Sequence, residues 1–179
     1  LEQNDIQVEI LDCQAISYSQ AEILSKIESF QPEYIGFTAT TVLIQNVLQI
    51  AESIKLRCPE TKIILGGVHP TIATEEVLKN PNVDIVVRGE GEFTCLDIVK
   101  NKPLNEILGI SYKSDGGIRH NLDRPLIEDI NCLPFPAYHL MPMDQYHTAL
   151  GSAKRTPAMS IFATRGCPGR CTFCYSGAL

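Results

Sequence analysis

Apolar residues fall into short runs separated by stretches with helical spacing, and the two patterns alternate from the first residues through Lys100. Residues 6–11, IQVEIL, alternate apolar and polar positions before becoming continuous, which predicts a strand with one covered face. Residues 20–30, QAEILSKIESF, then put Ile23, Leu24, Ile27 and Phe30 on one face of an amphipathic helix that Pro32 closes. The unit recurs. EYIGF (33–37) predicts a strand, and TVLIQNVLQIAESIKLRC (41–58) a long helix with a stripe of Leu43, Val47, Ile50 and Ile54, stopped by Pro59. KIIL (62–65), TEEVLKN (74–80), DIVV (84–87) and EFTCLDIVK (92–100) continue the alternation as strand, helix, strand and helix.

Short β-branched strands without strict alternation suit a parallel sheet covered on both faces, and parallel neighbours require helical crossovers. The expected fold is α/β, a doubly wound parallel sheet of the Rossmann or flavodoxin kind, over residues 1–102. Residues 103–157 carry a hairpin around Asp115-Gly116-Gly117 and a linker with Pro125, Pro134, Pro136 and Pro142. Residues 158–164, AMSIFAT, open a fresh strand at the head of a third segment, 158–179.

In open α/β sheets ligands bind beyond the carboxyl ends of the strands. Three loops therefore become candidates: Thr38, Ala39, Thr40, Thr41 and Leu43; Gly66, Gly67, Val68, His69 and Pro70; and Arg88, Gly89, Glu90 and Gly91. Each has a plainer alternative. The threonines offer hydroxyls to a ligand or cap the long helix, Gly66-Gly67 admits a ligand or makes a tight turn, and Glu92 complements a helix dipole. His69 is either a ligand contact, including a metal ligand, or a packing residue. No Ser/His/Asp set or paired carboxylates stand out, and His120, His139 and His147 have no spacing that suggests a site.

Composition narrows the setting. With 44% hydrophobic and 20% charged residues in 179, the chain has a globular composition, and a net charge of -6 without a basic run gives no source of phosphate attraction. Nucleic acid is set aside and a small-molecule substrate expected. No stretch approaches a membrane span, and LEQNDIQVEI lacks the layout of a signal peptide. Cys13, Cys58, Cys95 and Cys132 are scattered, which argues against a disulfide framework and for a reducing, cytoplasmic setting.

The other three cysteines, Cys167, Cys171 and Cys174, share one loop, TRGCPGRCTFCY. Structural zinc usually takes four ligands in two close pairs, whereas three thiolates suit an iron-sulfur cluster with one open iron. Arg165 and Arg170 lie beside the thiols, either favouring thiolates or simply solvated. The spacing CPGRCTFC, with Phe173 before the last cysteine, resembles the radical S-adenosylmethionine enzymes. The resemblance implies that Cys167, Cys171 and Cys174 hold a 4Fe-4S cluster that binds and cleaves S-adenosylmethionine, with Phe173 at that cofactor site, and that FATRGC begins the family's barrel.

The remainder, GGVHPT, EEVLKNPNVDIVVRGEGE, a hairpin and LPFPAYHLMP, is similar to the cobalamin-binding domain that precedes one branch of that family. This resemblance implies that the three loops hold cobalamin, with Thr38–Leu43 and Gly66–Pro70 around its nucleotide tail and Arg88–Gly91 at the rim. No Asp-x-His-x-x-Gly motif is present, so the resemblance implies either cobalamin without a protein histidine ligand or a motif outside these residues. Resemblance also implies a strand before Leu1 and the rest of a barrel after Leu179. The expected activity is methylation of an unactivated carbon, with ring formation or rearrangement as the alternative chemistry. The other readings are a cobalamin carrier without catalysis and a zinc-stabilised regulatory domain.

Overall fold

Ser19 starts the first helix in the computed structural model, which describes residues 1–146, Arg155, Ala158, residues 165–169, Cys171, Thr172 and Cys174. Its Oγ accepts from the Glu22 amide at 3.3 Å while the Glu22 carboxylate accepts from the Ser19 amide at 2.7 Å. This reciprocal box fixes the start of α1 (Gln20–Phe30), whose Ile23, Leu24 and Ile27 are buried as their spacing predicts. β1 (Tyr34–Thr38), α2 (Ile44–Arg57), β2 (Lys62–Gly66), α3 (Val68–Ile72), α4 (Thr74–Lys79), β3 (Ile85–Val87) and α5 (Glu92–Val99) follow. The hairpin β4 (Ile110–Ser114) and β5 (Gly117–His120) comes next.

The five strands form one sheet in the order β1-β2-β3-β4-β5. β1, β2 and β3 are parallel, with Thr38 beside Gly66 and Leu65 beside Val86. Strand periodicity then sorts the side chains by face. Ile63, Leu65 and Val86 pack with α1, α2 and α4, whereas Ile64, Ile85 and Val87 pack with Ile98 of α5 and with Ile107, Ile110 and Tyr112. Helices thus cover both faces, as the α/β reading requires.

Three expectations differ from what is observed. Residues 6–11 are not a strand: alternation specifies an extended chain with one covered side, but strand formation needs a hydrogen-bonding neighbour as well. The hairpin is not separate from the sheet. β4 pairs antiparallel with β3, Ile85 opposite Tyr112, so the sheet is mixed. Finally, VHPTI is helical where the sequence predicts a loop, because Pro70 lies in the first turn, where a missing amide donor breaks no helical bond. Strand 158–164 lies outside the described residues, apart from Ala158.

Candidate functional site

Because β1, β2 and β3 run the same way, the loops that follow them emerge at one edge of the sheet. Backbone hydrogen bonds stitch the first two together: the Ala39 amide donates to the Gly66 carbonyl at 3.0 Å, and the His69 amide to the Ala39 carbonyl at 3.1 Å. Thr71 Oγ1 donates to the Gly67 carbonyl at 2.8 Å and accepts from the Gly89 amide at 3.3 Å, which brings in the third. Ala39, Gly66, Gly67, His69 and Gly89, drawn from all three loops, are therefore joined in one place.

Gly67 sets how closely they meet. It has φ of 93°, and a Cβ there would lie 2.6 Å from Thr38 Oγ1 and 3.1 Å from both the amide nitrogen and the carbonyl oxygen of Ala39. Only glycine permits that approach. None of the three threonines caps α2 through its side chain; Leu43 is the cap residue and the Thr40 carbonyl accepts from the Leu43 and Ile44 amides at 3.0 and 3.1 Å. The capping expectation is corrected because a backbone turn already satisfies those donors.

Thr41 instead faces His69, with Oγ1 3.2 Å from Nδ1. His69 is 7% exposed, and its buried Nε2 meets no hydrogen-bond partner among the described residues. A buried ring nitrogen without a partner is expensive, of order 1–3 kcal/mol, unless a ligand satisfies it. Val42, Val68 and Ile72, near Thr41 and His69 in sequence, stay exposed.

Arg88 turns away from this edge toward the hairpin. Its guanidinium donates to Asp123 Oδ1 at 2.9 and 2.7 Å, to the Asn121 carbonyl at 2.6 Å and to Ser111 Oγ. Ser111 Oγ lies 2.8 Å from His120 Nδ1, and His120 Nε2 lies 3.6 Å from Glu75. The sequence hid this alignment, though Ser111 and His120 are register partners in the hairpin. It is a brace rather than a nucleophile: Ser111 is 0% exposed, out of reach of any substrate. His139 pairs with Glu2 at 3.0 Å, and His147 lies outside the described residues.

Glu90 has different partners. Its carboxylate accepts from the Ile127 amide at 2.6 Å and from Arg165 Nη1 at 2.9 Å, while Arg165 Nη2 reaches Glu92 at 2.5 Å. Partial burial alone would raise the Glu90 carboxyl, but the Ile127 amide and Arg165 outweigh it and hold its pKa below the ordinary value. The hydrogen bonds that Arg165 donates to Glu90 and Glu92 raise its own pKa. Arg165 thus spends its charge on Glu90 and Glu92, a destination that its place beside the thiols did not suggest.

Cys167, Cys171 and Cys174 are exposed. A Cβ on Gly169 would lie 3.3 Å from Cys167 Sγ and 3.8 Å from Cys171 Sγ, so glycine leaves room between these two sulfurs. The Cys174 amide donates to the Cys171 carbonyl at 3.0 Å. Among the described residues no three His, Cys, Asp or Glu side chains form a metal-binding group. Thiolate donors nevertheless fit an iron-sulfur cluster chemically. Arg170 and Phe173 lie outside the described residues. Among the described residues no helix is long and apolar enough to cross a membrane.

A sheet with helices on both faces and three stitched loops at its carboxyl edge defines a ligand-binding α/β domain. Residues 1–99 match the B12 binding domain family, and the chain belongs to that family. It is 36% identical over 174 residues to an uncharacterized methyltransferase of Pyrococcus horikoshii, covering 94% of this chain and 37% of that protein. It is also 32% identical to the anaerobic magnesium-protoporphyrin IX monomethyl ester cyclase of Rubrivivax gelatinosus, over 92% of this chain and 30% of the cyclase. The chain therefore spans about a third of the length of these relatives. Among solved structures, the cobalamin-dependent S-adenosylmethionine radical enzyme OxsB, with aqua-cobalamin and S-adenosylmethionine bound, superposes with a TM-score of 0.62 at 24% identity. That likeness covers 70% of this chain and 18% of OxsB, and it shows a shared fold.

Proposed function

We propose that this chain binds cobalamin across its three stitched loops and belongs to a cobalamin-dependent radical S-adenosylmethionine enzyme. The observation that carries the reading is His69, buried at the meeting point of the loops with Nε2 unpartnered among the described residues. Thr38, Ala39, Thr40, Thr41 and Leu43, with Gly66–Pro70, would line the cofactor's nucleotide tail. Gly67 keeps the two loops close enough to act as one wall. Arg88, Gly89, Glu90 and Gly91 would stand at the rim, with Arg88 also bracing the hairpin.

Cys167, Cys171 and Cys174 would hold a 4Fe-4S cluster, and Phe173 would flank S-adenosylmethionine. When bound, these cofactors supply a carbon-centred oxidant and a transferable methyl group, so the protein's task is to position them and exclude water. The relatives bear the names of a methyltransferase and a cyclase. Methylation of an unactivated carbon in a small molecule is the proposed reaction.

Anaerobic reconstitution with iron and sulfide tests the cluster. Roughly four irons per chain with brown colour supports it; one tightly held zinc and no colour sinks it. Cys171→Ala should abolish the iron while leaving cobalamin retention intact, because the cysteine loop and the three loops are separate sites. A second reading is a cobalamin carrier without catalysis, since the family match covers residues 1–99, which hold the three loops without the three cysteines. It predicts cobalamin retention and no iron uptake.

A further inference from the structure

We propose that Glu90 and Glu92 form a two-carboxylate clamp on Arg165 that seats the Cys167–Cys174 loop against the rim of the cobalamin crevice. The proposal rests on the cofactor assignments made above. Each terminal nitrogen of Arg165 has its own carboxylate, Nη1 with Glu90 at 2.9 Å and Nη2 with Glu92 at 2.5 Å. A guanidinium presents its donors as a rigid planar fork, so two carboxylates two residues apart fix its direction as well as its distance. A lysine would supply charge to one of them at a time.

The clamp joins three parts of the chain. The other oxygen of Glu90 accepts from the Ile127 amide at 2.6 Å, at the head of the proline-rich segment. One side chain in the loop after β3 therefore holds that segment with one oxygen and the cysteine loop with the other. Arg165 is 75 residues away in sequence, two positions before Cys167. Gly166 between them has φ of 76°, a left-handed conformation that glycine adopts without strain.

Exposure decides what the clamp does. Arg165 keeps 41% of its side-chain surface, against 17% for Glu90, so solvent weakens the attraction and little global stability depends on it. Its value lies in register: the cysteine loop follows whatever the loop after β3 does. Glu90 and Arg165 are positioning residues.

Two measurements on the full chain test this. In Arg165→Lys, a water-soluble carbodiimide should join the new amine to Glu90 or Glu92 through an amide, with loss of water, giving a cross-linked peptide on digestion. The product should vanish when Glu90→Gln and Glu92→Gln are added. Separately, in reconstituted protein, Arg165→Gln and the paired glutamine substitutions should each speed iron loss to a chelator about two- to fivefold, the range an exposed ion pair supports, and combining them should add nothing further. Absence of the cross-link overturns the clamp, whether or not iron is bound. A cross-link with unchanged iron loss overturns its seating role. Failure of the unsubstituted chain to take up iron, with the cross-link present, overturns the cluster assignment and leaves the contact standing.

Discussion

Gly67 and Thr38 compete for the same space: a side chain on Gly67 would begin 2.6 Å from the Thr38 hydroxyl. Gly67→Ala must therefore move a loop and also hold alanine at positive φ, costing about 1–3 kcal/mol. Adding Thr38→Ala should recover part of the loss, since the Ala39 backbone atoms at 3.1 Å and the strained φ remain. Thermal unfolding of the two variants measures both terms. Cobalamin retention should fall in Gly67→Ala even at temperatures where the fold is intact.

His69→Leu separates packing from ligand contact. The substitution loses the Thr41 interaction but removes a buried nitrogen without a partner, so unfolding free energy should change by less than about 1 kcal/mol. Cobalamin retained after gel filtration, read by its visible absorbance, should drop at least tenfold. Unchanged retention would make His69 a core residue and nothing more.

Arg88 and Asp123 form an unequal pair, 14% and 83% exposed. Removing the buried partner strips donors from Ser111 and the Asn121 carbonyl, so Arg88→Ala should cost about 1.5–3 kcal/mol. Asp123→Asn should cost less than about 1 kcal/mol because its charge is solvated. Denaturant midpoints compared at equal slope give the contrast; similar losses would mean that the exposed ion pair carries the stability.

Asp97 gives a pH dependence. Burial alone would raise its carboxyl, but Lys102 and Arg124, both at 2.5 Å, more than reverse that and hold its pKa below the usual value. With the folded value below the unfolded one, the stabilisation is complete above roughly pH 4 and fades as pH falls through the folded pKa. Asp97→Asn should therefore be less stable than the unsubstituted chain at neutral pH, and the gap should close toward about pH 2. Urea unfolding at both pH values checks it; a constant gap would point to packing instead.

Local spacing foretold local structure well and distant pairing poorly. The stripe Ile23, Leu24, Ile27 fixes α1 because helix packing depends on positions three and four apart. The three loops were legible because sheet topology puts the ends of parallel strands together. Hidden from the sequence were partnerships that depend on backbone direction: Arg165 with Glu90, Thr41 with His69, and Ser111 with His120 across the hairpin. Residues 6–11 misled for a related reason, since alternation reports a covered face but not a neighbouring strand. α3 escaped because five residues containing a proline carry too little periodicity to detect.

The strand order β1-β2-β3-β4-β5 is also the order of translation. As each strand leaves the ribosome, the neighbour to which it pairs has already emerged, so the sheet grows outward by short-range steps instead of waiting for a late insertion between finished strands. The loops after β1 and β2 are joined as soon as β2 docks, well before Cys167 is synthesised. The joining of these two loops therefore precedes the thiols in time as well as in sequence.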